Sequence, residues 1–248
     1  MKRNEKRKKN YNSLIFLYLS FILNKKTIIA IIISLLFLTG SLVFISNIEN
    51  ETDYLISPLS FHQSYFNLSL LIMEILNGIL IAFFVLNLSI NSLSFDTLFV
   101  SYVKRTKLAL IKLIVIILLL FVLLIIEFGI IMLIALLRFS LFKLTKELTI
   151  TFLYNYIAMI FEALASIALT EIFSMMITPL FVLFSFLIIR ILMNNFKKIS
   201  DSFINYFPYT IYNSKNNLFE FGNLLIIIVM ILFLTIIYIE IYSIKDFK

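Results

Sequence analysis

The chain has no cysteine, no tryptophan, one histidine, three prolines and four glycines. Without cysteine there is no disulfide framework, no thiolate nucleophile and no cysteine-ligated zinc. The lone His62 leaves little for histidine-led catalysis or metal binding. No glycine is followed by Lys-Ser or Lys-Thr, and four glycines are too few to build a phosphate-cradling loop. The HExxH, GxSxG and GxGxxG patterns are absent too. The sequence therefore reads as non-enzymatic, with no cofactor of its own. The chain is not expected to hydrolyse ATP itself, so any active process it takes part in would draw its energy from a partner or an ion gradient.

What is present is apolar. Hydrophobic residues fill 62% of 248 positions, against about 45–50% in soluble domains. A soluble fold of this length cannot hide so much apolar surface, because modest globules leave much of their area in water. The bilayer is the expected solvent. The net charge of +7 sits in flanks and loops, which suits anionic lipid headgroups as a partner and not nucleic acid.

A membrane-spanning helix needs about 20 apolar residues. Six segments qualify: Thr27–Ser46, Phe66–Ile90, Leu108–Leu137, Ile150–Thr170, Met175–Met193 and Asn223–Tyr242. Pro179 suits the first turn of the fifth. The expected fold is an all-α polytopic membrane protein with six transmembrane helices. Residues 1–26 are expected to form a basic cytoplasmic N-terminus with an interfacial helix, since the apolar run Ser13–Leu23 is too short to span and Asn24-Lys25-Lys26 replaces a cleavage site. Residues 27–248 are expected to form the six-span transmembrane body. With the N-terminus inside, the majority of the 21 lysines and arginines fall on the cytoplasmic side, so both termini are expected there. The stretch before the last span, rich in Phe and Tyr from Phe203 to Phe221, suits the headgroup zone.

The densest internal charge lies in "SLSFDTLFVSYVKRTKLALIKLIV", Ser92 to Val115. Phe95, Leu98, Phe99 and Tyr102 fall at i, i+3, i+4 and i+7, one face of a helix. Ser94 can cap its start, Asp96 suits a first turn, and Lys104, Arg105 and Lys107 suit the other end. The pattern predicts an amphipathic helix over Ser94–Lys107, lying on the cytoplasmic surface between spans two and three. As plain physics, it is equally an ordinary positive-inside anchor.

The same stretch resembles the cytoplasmic segment between the second and third spans of ABC-2 type transporter permeases, the membrane subunits of ATP-driven exporters. That family tends to show Gly-Thr-Leu-Glu, then Pro-x-Ser-Arg, then a Lys seven positions after the Arg. Here "LSFD" (Leu93–Asp96) and "YVKR" (Tyr102–Arg105) take those places, and Lys112 follows Arg105 by seven. Ser94, Phe95, Asp96, Arg105 and Lys112 match in kind, whereas Leu93, Tyr102 and Lys104 depart from Gly, Pro and Ser. The six-span layout and charged tail are similar as well. The resemblance implies a multi-pass bacterial cell-membrane protein whose partners are a separate ABC ATPase subunit, which binds the ATP, and a second permease copy or paralogous permease. It also implies that Ser94, Phe95, Asp96, Phe99, Tyr102, Lys104, Arg105 and Lys112 form an ATPase-coupling helix, with Phe95, Phe99 and Tyr102 as anchors. Such permeases export toxic or antimicrobial peptides, other hydrophobic compounds or lipids.

Three acids fall inside spans: Glu74, Glu127 and Glu162. Charge at mid-bilayer costs roughly 2.5–3.5 kcal/mol on insertion scales, so each is expected to face protein or water. They read as the acidic lining of a pathway for a cationic or amphipathic cargo; the alternative is that Glu127 and Glu162 are neutral or hydrogen-bonded to Ser, Thr, Asn or Tyr on adjacent helices, such as Asn155 or Ser166. Two other functional classes fit the sequence: a membrane-embedded immunity or binding protein without transport, and an ion-coupled carrier.

Overall fold

Long apolar runs with little glycine or proline form long helices. The computed structural model describes residues 14–52, 58–99, 103–138, 146–173, 177–195 and 221–244. All regular structure among them is helical: α1 (14–22), α2 (Lys25–Thr52), α3 (Pro58–Phe99), α4 (Arg105–Arg138), α5 (Lys146–Phe173), α6 (Thr178–Asn195) and α7 (Phe221–Ile244). Within α2, α3, α4, α5 and α7 lie five stretches long and apolar enough to cross a membrane. The chain is that of a helical, multi-pass membrane protein. The remaining expected span, Met175–Met193, falls on α6, with Pro179 in its first turn as anticipated, where the missing N–H costs nothing. His62 is in the first turns of α3. Much of the aromatic stretch before α7, within 196–220, lies outside the described residues.

α5 is the axial helix, packed on α3, α4, α6 and α7. Ala158, Ala163, Ala165 and Ala168 are buried in it. Small side chains let helix backbones approach closely, which is how helices associate when lipid is as apolar as they are. α2 and α7 lie further out: Ile29, Ile33, Leu36 and Phe37 on α2 and Leu232, Phe233 and Ile236 on α7 are exposed, as lipid-facing residues are. α1 docks through Leu14, Tyr18 and Ile22, buried at four-residue spacing, and leaves Phe16 outside.

The separate surface helix expected over Ser94–Lys107 is not formed. Ser94 to Phe99 are the last residues of α3, residues 100–102, which include Tyr102, lie outside the described set, and α4 begins at Arg105. Neither glycine nor proline stops α3 between Ser92 and Phe99, and its buried stripe runs on through Phe84, Leu88, Ser92 and Asp96 at four-residue steps. Ser94 is thus no N-cap. Asp96 stands near the C-terminus of a helix, not in a first turn.

The cap that does form is Asn24. Its carbonyl takes the first α2 bond from the Ile28 N–H (3.0 Å). Its side-chain Oδ1 accepts from the Thr27 N–H (2.9 Å) and hydroxyl (3.0 Å), and its Nδ2 donates to Asn87 Oδ1 on α3 (2.8 Å). Asn87 in turn donates to Thr27 Oγ1 (2.8 Å). This sets the start of α2 beside the last turns of the apolar stretch Leu68–Ser92 of α3. Asn24→Ala should lose roughly 1 kcal/mol for the cap alone and more for the bond to Asn87. Asn24→Asp should keep the cap and lose only the interhelical donor; reversible unfolding in mixed micelles checks the order.

Candidate functional site

Two buried polar sites stand out, one at the end of the bundle where α1, α3, α4 and α7 meet and one deep between α3, α4 and α5.

At the first, Asp96 and Lys112 form an ion pair buried on both sides. An anion near a helix C-terminus is opposed by the helix dipole, so Asp96 needs strong donors. It has three: Lys112 Nζ and Ser92 Oγ (3.1 Å) on Oδ2, and the Tyr18 hydroxyl (2.7 Å) on Oδ1. Ser92 also accepts from Lys112 Nζ (2.8 Å), which closes a triangle. The ammonium lies 4.7 Å from the centre of the Tyr242 ring and 5.6 Å from that of Tyr18, within cation–π range. Burial first, and then the charge and hydrogen bond of Asp96, push the Tyr18 phenol well above its usual range. Tyr18 therefore stays protonated and remains a donor.

Secondary bonds reinforce the junction. Arg105 Nη1 donates to the Ser243 carbonyl (3.0 Å) and Asn91 Nδ2 to the Phe21 carbonyl (3.1 Å). Both acceptors lie in the last turns of α7 and α1, where carbonyls lack intrahelical partners. Phe95 packs on Phe21 with ring centres 4.9 Å apart. Lys104, Thr106 and Lys107 remain exposed at the turn.

The second site is built on α3. Asn77 Nδ2 donates to Glu127 Oε2 on α4 (2.9 Å) and makes a weaker contact with Met159 Sδ on α5 (3.6 Å). Asn77 and Glu127 are both 1% exposed. Glu162, also buried, lies on the other side of the same α3 turn: a Cβ added at Gly78 would sit 3.1 Å from its Oε1 and against the Leu183 side chain of α6. Asn155, Met159, Glu162 and Ser166 follow one another along one face of α5. Glu74 is half-buried one turn before Asn77. Glu127 thus bonds an asparagine on a neighbouring helix, but Asn77 in place of Asn155 or Ser166.

Of the expected coupling residues, the fold brings Asp96 and Lys112 together, sends Phe95 to α1 and Arg105 to α7, and leaves Lys104 at the surface. Ser94 and Phe99 are placed here only as positions in α3. Sequence reasoning missed Tyr18, Ser92, Tyr242 and Asn77. Asn77 had a readable signal, a polar side chain mid-span beside Gly78. Tyr18 and Tyr242 had none, because their partners are remote in the chain.

Removing one member of a buried pair strands the other charge. Asp96→Asn or Lys112→Met should each destabilise by about 3–5 kcal/mol, whereas the double substitution should cost clearly less than their sum. A double-mutant cycle by unfolding in micelles, with release of α1 followed by protease cutting near Tyr18, measures it.

Compared with protein-family models and with curated proteins, the chain matches none. The likeness to ABC-2 permeases therefore rests on the residues around the α3–α4 turn and on the helix layout.

Proposed function

We propose that the chain is the permease subunit of an ATP-driven exporter, with six spans in the cell membrane and both termini in the cytoplasm. A separate ABC ATPase subunit would drive it, and it would work as a pair with a second copy or a paralogous permease. The observation that carries this reading is the bracing of the α3–α4 turn. One buried network joins that turn to α1 and α7, so a push on the turn moves four helices together instead of bending a loop. Motor coupling needs such a rigid transmission element with an accessible tip, and Lys104, Thr106 and Lys107 supply the tip.

The pairing of helix ends supports six crossings. The start of α2 lies beside the last turns of the apolar stretch Leu68–Ser92 of α3, and the start of α4 beside the end of α7. Two crossings close the first loop and four the second, with α6 counted as a span. Its 18 residues reach about 27 Å, close to the roughly 30 Å hydrocarbon core. The excess of basic residues at this end supports a cytoplasmic placement. The coupling surface in this reading is the tip of a helical hairpin, not a detached amphipathic helix. An apolar interior carrying Glu127 and Glu162 suits an amphipathic peptide or another hydrophobic cargo.

Co-expression with a Walker-motif ATPase encoded beside the gene should give a complex that co-purifies. Reversing the two tip charges, Lys104→Glu with Lys107→Glu, should weaken that association by about tenfold without unfolding the chain. Export or resistance should vanish when the ATPase is disabled. Protection that persists with a dead ATPase would instead identify an immunity protein, and flux driven by a proton gradient alone a carrier.

A further inference from the structure

Among the buried side-chain atoms without a hydrogen-bond partner are Asn77 Oδ1 and Glu127 Oε1. They are the second atoms of the two groups already joined by the Asn77 Nδ2 to Glu127 Oε2 bond. Both are acceptors if Glu127 is ionised, and two acceptors cannot satisfy each other. Both residues are 1% exposed and Met159 beside them is buried as well. The charged residues nearest in sequence on the facing helices, Glu162 on α5 and Glu74 on α3, are acids, and the basic residues of α4, Arg105, Lys107, Lys112 and Arg138, stand eleven or more positions from Glu127 along that helix. Among the described residues no cation pairs with Glu127, and Lys112 of the same helix is taken up by Asp96. An ionised Glu127 would then be a charge in the membrane interior held by one amide, which is the costliest form a carboxyl can take there.

We propose that Glu127 and Asn77 form a proton-binding site in the core of the bundle. One proton, taken from solvent as α3 and α4 close, sits on Glu127 Oε1. That oxygen becomes a donor to Asn77 Oδ1 while Asn77 Nδ2 donates to Oε2. The result is a closed acid–amide ring with two hydrogen bonds, and both orphan atoms are satisfied by a single added hydrogen. Turning the Asn77 amide over exchanges the two oxygens of Glu127 and leaves the proton count unchanged. A site of this kind needs no cavity, which fits the burial of its members. It follows that a cargo meeting Glu127 meets a neutral hydrogen-bonding acid and not an anion. Parting α3 from α4 breaks the ring and returns the acid to water, so separation of these helices is linked to release of the proton. The site does not depend on the exporter reading, since the ring forms with or without an ATPase partner.

The test is infrared difference spectroscopy on the full chain in lipid bilayers at neutral pH, wild type minus Glu127→Gln. The expected result is a carbonyl band of a protonated carboxylic acid that the substitution removes and that Asn77→Leu shifts to higher frequency by taking away the amide N–H from which its carbonyl accepts. Carboxylate bands in place of the acid band would overturn the site, as would an acid band indifferent to Asn77→Leu. Thermal unfolding gives a second readout. Glu127→Gln, whose amide can close the same ring, should melt with the wild type, and Glu127→Leu should melt well below it. If Gln and Leu destabilise equally, the ring does not exist.

Discussion

An aspartate near the C-terminal end of a long helix is electrostatically misplaced, and much of one end of this molecule is arranged to correct that. The helix dipole opposes the Asp96 charge, and burial removes the water that would otherwise solvate it. Lys112, Ser92 and Tyr18 supply the donors, and the Tyr242 ring lies beside the ammonium that balances it. Each comes from a different part of the chain, so satisfying one carboxylate gathers α1, α3, α4 and α7. A buried ion pair adds little net stability compared with a well-packed apolar substitute. What it constrains is the pairing: a register that parts Asp96 from Lys112 leaves each as a buried charge without its partner.

The interior polar site answers the same problem differently. Near the middle of a bundle in lipid there is no solvent to complete an unfinished hydrogen-bond set. At the end of the bundle a counter-ion completes the set. At Glu127 the structure offers an asparagine, and a proton is the counter-charge that fits without space. One site makes a rigid joint where force could enter, and the other places an uncharged polar pair between helices that a transporter would have to separate. Glu162 against Gly78 and Leu183 puts a second acid at the same depth, so the polar level extends from α4 through α3 to α5.

The hydrophobic pattern made the helices legible. Apolar runs of spanning length, Pro179 at a helix start and the scarcity of glycine are local properties, and the described helices follow them closely. The stretch around Asp96 was legible as important and misread in form. Phe95, Leu98, Phe99 and Tyr102 satisfy a helical period, but so do Phe84, Leu88, Ser92 and Asp96, and a period cannot tell a new helix from the continuation of the old one. A glycine or proline would have marked the boundary, and neither occurs between Ser92 and Phe99; Ser94, a cap by residue type, stands inside α3. Asn24 ends the apolar run Ser13–Leu23 in the sequence, and its role as a cap shows only in its bonds to Thr27 and Ile28.

Sequence alone determined that this chain lives in a bilayer, that it is helical, roughly where each helix runs, and which few charges had to be explained. These follow from transfer energies and short-range geometry, which depend on a residue and its near neighbours. Tertiary structure alone decided which charge meets which partner. Tyr18 and Asp96 are separated by 78 positions and Asn77 and Glu127 by 50. Pairings across such distances depend on how whole helices pack, and the residues between them carry no mark of it.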